Sequence, residues 1–229
     1  MITIIIIFKC SGLSPGRFLR GIVRKIFPIV ASLLFFSSLL ASAQNPIPPA
    51  GLAQAGSKAL KEFLPALDSP KMKKTHGFAP EDDLSAVTLG EPFETRYLLV
   101  ESTKEYVKGA KVENFLIESR NWFFPVLSRG SQACLLSVIQ NQDGSFQKDK
   151  LGMAQLARVW AAVLEAWPVT KGYTPLLVVM PSRQRFYFTV PQAQPPNLTR
   201  ICIEQAESAS VKLYKNLTPA DVAFEDLRD

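Results

Sequence analysis

One pattern constrains the fold of this chain more than any other: a single long amphipathic helix stands between two groups of strand-like segments. In "LGMAQLARVWAAVLEAW", residues 151–167, the apolar side chains of Leu156, Val159, Trp160, Val163, Leu164 and Trp167 recur at helical spacing. Pro168 ends the run, because a proline supplies no amide to continue the hydrogen-bond ladder. The polar line through Gln155, Arg158 and Glu165 is narrow. This helix is therefore expected to lie across a sheet, covered on most of its sides.

Strand signals precede it. "FETRYLLVE" alternates, with Phe93, Thr95, Tyr97 and Leu99 on one side. Residues 111–119 are a second candidate and "NWFFPVL" a third, where Pro125 lacks a donor and predicts an edge strand or a bulge. Ser128-Arg129-Gly130 is turn chemistry, and "QACLLSVIQ" is the returning strand. Asp143-Gly144 then closes a hairpin onto "SFQKDK". After the helix, residues 176–180 form an unbroken apolar run, expected as a central strand buried on both faces, and residues 185–190 pair with it. Residues 198–217 fit strand or helix. Thr218-Pro219-Ala220-Asp221 opens a short C-terminal helix.

Strands, one helix and more strands, without a βαβ rhythm, predict an α+β fold. The expected architecture is a curved antiparallel sheet of about five to seven strands, with one long helix packed on a face and short helices at both ends. Near the start, Ser57 is expected to cap a helix carrying Leu60, Phe63, Leu64 and Leu67. Residues 69–80, including the basic run at 71–74, read as loop, and Pro80-Glu81-Asp82-Asp83 as a helix start.

The N-terminal region predicts an address rather than a fold. Lys9, Arg17, Arg20, Arg24 and Lys25 lead into the uncharged run 26–40, followed by Ala41-Ser42-Ala43. This is the three-part plan of a secretory signal peptide at residues 1–43, with cleavage expected between Ala43 and Gln44. The run is short for a bilayer span, which needs about 20 residues, so an uncleaved anchor is the alternative. Residues 44–56 read as a flexible tether and residues 57–229 as one globular domain. The expected destination is the bacterial periplasm or the extracellular space, with membrane contact only through the leader.

Loss of the leader removes five basic residues and leaves 21 basic against 20 acidic ones, which gives no reason to expect nucleic-acid binding. It also removes Cys10 and leaves Cys134 and Cys202, an even pair that reads first as a disulfide. A buried inert thiol is the second reading of Cys134. A catalytic thiol paired with His76 is the third. There is no Gly-x-Ser-x-Gly elbow, phosphate loop or metal-ligand cluster, and no cofactor or metal is expected. Asn-Leu-Thr sequons stand at Asn197 and Asn216.

Aromatic side chains are the remaining resource. Trp122-Phe123-Phe124 and Phe186-Tyr187-Phe188 run consecutively in strands and must point to both faces. A second helix or terminal segment covering the second face is the first reading of this pattern; otherwise Trp122, Phe124, Phe186, Tyr187 and Phe188 are the candidate residues for a ligand or partner surface. The function expected is that of an exported, non-enzymatic binding or interaction protein for a protein, peptide or apolar small molecule. The alternatives are a Cys134–His76 enzyme and an envelope-associated structural protein held by its N-terminal segment.

Overall fold

The computed structural model describes residues 47–205 and 209–228; the expected leader and its cleavage site lie outside them. Eight strands form one sheet: β1 (Thr88–Leu89), β2 (Phe93–Leu98), β3 (Leu116–Ser128), β4 (Ser131–Gln140), β5 (Phe146–Gly152), β6 (Leu176–Met180), β7 (Arg185–Thr189) and β8 (Thr199–Arg200). Their order is β5-β4-β3-β2-β6-β7-β8, with β1 also paired to β3. Six α-helices accompany them: α1 (Leu52–Phe63), α2 (Pro70–Thr75), α3 (Val100–Glu105), α4 (Ala154–Ala166), α5 (Val211–Tyr214) and α6 (Ala220–Arg228).

The sheet corrects the expected architecture. It has eight strands rather than five to seven, and it is open, neither closed nor curled. It is mixed rather than antiparallel, because β2 runs parallel to β6, with Arg96 opposite Val178 and Tyr97 opposite Val179. Parallel partners need a long crossover. Here the whole β3–β5 meander and α4 supply it, so the pairing has no local sequence signal. The unbroken apolar run in β6 does occupy an interior position, between β2 and β7.

Helices cover both faces, where one long helix on one face was expected. Direct cross-strand partners share a face, which fixes the layers. Trp122, Phe124 and Val126 of β3 and Cys134, Leu136 and Val138 of β4 pack under α1 through Leu52, Ala59 and Leu60. On the same face, Leu98, Val178 and Tyr187 pack under Tyr106, Phe224 and Leu227, which belong to the α3–α6 region. The opposite face belongs to α4: Leu156, Val159, Trp160 and Val163 meet Phe123, Leu135, Leu177 and Phe188. Gly56 lets α1 approach closely, since a Cβ there would stand 2.6 Å from the Phe124 ring. Gly77 has φ +81°, and a Cβ would meet Ala133 O at 2.3 Å.

Several local expectations move by a few residues. α1 begins at Leu52, inside the stretch expected to be a tether, and Leu52 is fully buried. The basic run at 71–74 is helical rather than loop, in α2, whose Ser69 hydroxyl accepts from the Met72 amide at 3.2 Å. The acidic stretch opens only a short 3-10 helix, Leu84–Ala86, capped by Asp83, which accepts from the Ser85 amide at 2.9 Å; the Asp82 carboxylate instead accepts from the Ala79 amide at 2.8 Å and pairs with Arg129 at 2.6 Å. Of the candidate strand at 111–119, Val112–Phe115 is a 3-10 helix and only the part from Leu116 is strand; it runs on through the candidate at 121–127 as β3, with Arg120 in the left-handed region (φ 55°) at an irregularity between them. Pro125 lies inside the sheet rather than on an edge. It falls between the Phe123 pairing to β2 and the Val126 pairing to β1, where no strand demands its missing amide. Asn197 is buried, accepting from the Val190 amide at 2.8 Å and donating to Val190 O at 3.0 Å. Asn216 is the exposed sequon of the two.

Candidate functional site

The break between β1 and β2 opens a cavity of about 350 Å³. Its wall takes Gly90, Glu91 and Pro92 from the connection, Phe93, Glu94 and Arg96 from β2, and Trp122, Pro125 and Leu127 from β3. Trp160 and Leu164 of α4, then Val169, Pro175 and Leu176, complete it. Chain geometry makes this space. β1 pairs with β3 only as far as Leu89 opposite Val126, and β2 resumes at Phe93 opposite Phe123, so Gly90, Glu91 and Pro92 leave the ladder beside β3 interrupted at that point. Proline at 92, 125 and 175 keeps neighbouring backbone from filling the gap with further ladder bonds.

Most of the wall is apolar, and its aromatic part is rigid. Phe93 stacks obliquely on Trp160 (centroids 5.2 Å apart, 33° between planes) and meets Phe123 edge-on at 5.9 Å. One charged group is set into it. Arg96 reaches Glu94 at 3.2 Å and Glu118 at 3.3 Å. The Glu94 side chain is 6% exposed and Arg96 17%, whereas Glu118 is 72% exposed. Burial pushes the Glu94 carboxyl above the ordinary carboxylate range. The Arg96 charge pulls it back, Glu118 adds a push upward, and a backbone bond from Arg120 pulls it down. The left-handed turn at Arg120 thus serves both the β3 register and the ion pair.

The tryptophans carry the most telling detail. Trp122 is 3% exposed and Trp160 1%, yet neither indole Nε1–H has a hydrogen-bond partner among the described residues. Trp167, by contrast, donates to Tyr214 O at 2.6 Å. Buried indole donors are usually partnered, and an unmade bond costs about 1–3 kcal/mol. Both residues contribute to the cavity wall, yet the Trp122 ring packs in the core under α1, the Trp160 ring in the core under α4, and both Nε1 atoms are fully enclosed.

Of the aromatic residues singled out by sequence, only Trp122 reaches this site. Phe124 is buried beneath Gly56 of α1, and Tyr187 under α6. Phe188 packs edge-on against Tyr214 at 5.6 Å in the α4 core, where Phe186 is half-buried. These four fill the interior because both faces of the sheet are covered. Phe93, Glu94, Arg96 and Trp160 were missed as site residues. Trp160 carries an ordinary core signal, and alternation placed Glu94 and Arg96 on an outer face.

The cysteines form no bridge; both are free thiols. Cys134 lies fully buried in the core under α1, while Cys202 follows Ile201 of the core on the other face. Sheet and side chains therefore separate them. Burial pushes the Cys134 thiol up to about 12, partly offset by a backbone bond from Gly152. His76 holds its Nδ1 at 2.9 Å from Met72 O. A protonated, inaccessible thiol is a poor nucleophile, whatever base lies near it. Among the described residues there is no group of three or more His, Cys, Asp or Glu that could hold a metal ion. No helix among them is long and apolar enough to cross a membrane.

Comparison with protein-family models, curated proteins and solved structures finds no match to this chain.

Proposed function

We propose that this chain is an exported binding protein whose cavity at the head of β2 takes a small molecule with an apolar body. The observation that carries the reading is the cavity itself, of about 350 Å³ and walled by Phe93, Trp122, Pro125, Trp160, Leu164 and Leu176. Concave, largely apolar sites of roughly 300–1,000 Å³ with a few convergent polar groups are the usual form of small-molecule sites. The basic, apolar and Ala-Ser-Ala succession at the N-terminus supports export. Binding without chemistry is the preferred role because the wall pairs its one arginine with carboxylates and contains no thiol, hydroxyl or imidazole side chain.

Calorimetric titration of the purified chain with ethylbenzene tests the cavity. The wild type is expected to give saturable heat and a raised Tm, and Leu164→Trp, which places bulk into the wall from half-buried α4, to lose both. Absence of heat with the wild type would contradict the reading. Cell fractionation with N-terminal sequencing tests export, for which the expected first residue is Gln44.

A further inference from the structure

We infer, resting on the cavity reading, that the molecule bound there carries an amino group on an apolar body and sets it, as a cation, beside the Glu94 carboxylate. Two observations converge on this ligand class: a buried carboxylate that is incompletely paired, and an excess of negative charge along the wall.

The Glu94 side chain is 6% exposed and lines the cavity. Arg96 stands 3.2 Å from it, and the same guanidinium is shared with Glu118 at 3.3 Å. Well-formed charge-assisted bonds close to about 2.7–2.9 Å. Asp82, a carboxylate buried to a similar degree, meets Arg129 at 2.6 Å and accepts from the Ala79 amide at 2.8 Å. Arg96 thus stands off from both of its partners. A buried carboxylate with a distant and divided partner keeps part of its desolvation cost, in keeping with burial outweighing Arg96 and pushing the carboxyl upward. An ammonium in the cavity supplies both the missing charge and N–H donors.

The charge count points the same way. Glu91 and Glu94 line the cavity against one arginine, and Glu118, outside the wall, draws on that same guanidinium. An anionic ligand would enter this excess of carboxylates and have to take Arg96 from them. A neutral ligand would leave Glu94 as it is. Phe93, Pro125, Leu127, Leu164 and Leu176 offer apolar contact to the rest of the molecule. Primary amines on an aromatic or alicyclic body have this chemistry.

Four ring compounds of similar size separate the classes: benzylamine (cation), benzyl alcohol (neutral and polar), benzoate (anion) and ethylbenzene (apolar). Calorimetry on the full chain at mildly alkaline pH keeps carboxylates ionised and benzylamine protonated. Benzylamine is expected to bind roughly 3–10-fold tighter than benzyl alcohol, the value of a charge-assisted bond less the cost of drying the ammonium. In Glu94→Gln that ratio is expected to fall toward one; Arg96 keeps Glu118 there, so no cation is left unpaired. Glu118→Gln, at an exposed position, is expected to keep the ratio. Benzyl alcohol binding as tightly as benzylamine, or benzoate binding tighter, would overturn the amine class, and saturable ethylbenzene binding would then leave the cavity reading standing. A ratio unmoved by Glu94→Gln would also overturn it. Binding by none of the four would overturn both readings.

Discussion

The two ends of β2 treat buried polar groups in opposite ways. At the Leu98 end, α6 closes over the sheet and its polar groups find partners. The Tyr106 hydroxyl donates to Asp221 at 2.7 Å, and the Gly109 amide donates to the same oxygen at 3.0 Å. Arg228 donates to Thr103 O at 3.1 Å and Tyr106 O at 2.6 Å, and Arg183 to Leu227 O at 2.9 Å. Tyr106 and Phe224 stack at 4.0 Å with planes 1° apart. At the Phe93 end there is a cavity, a half-buried ion pair and two indole donors without partners. One end is built as a permanent seam and the other is left incomplete.

The largest effect expected is at the seam. Phe224→Ala removes a fully buried ring and should cost about 3–5 kcal/mol in denaturant unfolding, while a probe still binds the folded fraction at the other end. Loss of ethylbenzene binding by the folded variant would show that the two ends are not independent. Asp221→Ala leaves the Tyr106 hydroxyl and the Gly109 amide without their shared acceptor, and should lower the urea midpoint by less than Phe224→Ala does.

A sharper contrast uses one substitution at three positions. Benzothienylalanine keeps the bicyclic shape of tryptophan and lacks the N–H. At position 167 it should cost about 1 kcal/mol, because Tyr214 O loses its donor. At positions 122 and 160 it should cost nothing or stabilise the unliganded protein, since no bond is lost there. Equal costs at all three would break the comparison.

Acid should move the two ends in opposite directions, with the smallest effects of the set. Burial raises Glu94, so the folded state binds its proton at higher pH than the unfolded chain. Stability from this group therefore rises as pH falls from neutral toward the unfolded value of 4.5, and Glu94→Gln should remove that rise. Asp221 is lowered by the Tyr106 hydroxyl first and the Gly109 amide second. Its contribution is present above 3.8 and is lost as pH falls below it, a loss Asp221→Asn should flatten. Alkali acts on the seam: Tyr106, raised to about 12 by burial and by Asp221, stays protonated when the unfolded chain ionises. Stability should fall between about pH 10 and about 12, as urea unfolding of wild type against Tyr106→Phe would show.

Much of the scaffold was legible in sequence and little of the cavity was. The α4 pattern, the Asp143-Gly144 hairpin and the Thr218-Pro219 helix start are local signals, and each element formed within a few residues of its expected place. The β2–β6 pairing has no local signal, because the crossover between them contains three strands and two α-helices. The cavity depends on that pairing, since it brings Pro175 and Leu176, at the start of β6, into the wall. Alternation in "FETRYL" placed Glu94 and Arg96 away from Phe93, which is correct, but a covered second face turned that side from solvent into interior. The same covering converted four of the five expected surface aromatics into core. Cys134 was legible as one half of a pair only by counting. Its face, opposite to that of Ile201 beside Cys202, is a tertiary fact.

The central claim is that the cavity at the head of β2, which Trp160 lines and Trp167 does not, takes a small molecule with an apolar body. The chain has three tryptophans, so ¹⁵N-indole labelling gives one N–H resonance for each, assignable by single Trp→Phe variants. Ethylbenzene titration should shift the Trp160 resonance saturably and leave Trp167 in place. Saturable binding of ethylbenzene with all three resonances unmoved, or with Trp167 alone moving, would contradict the account.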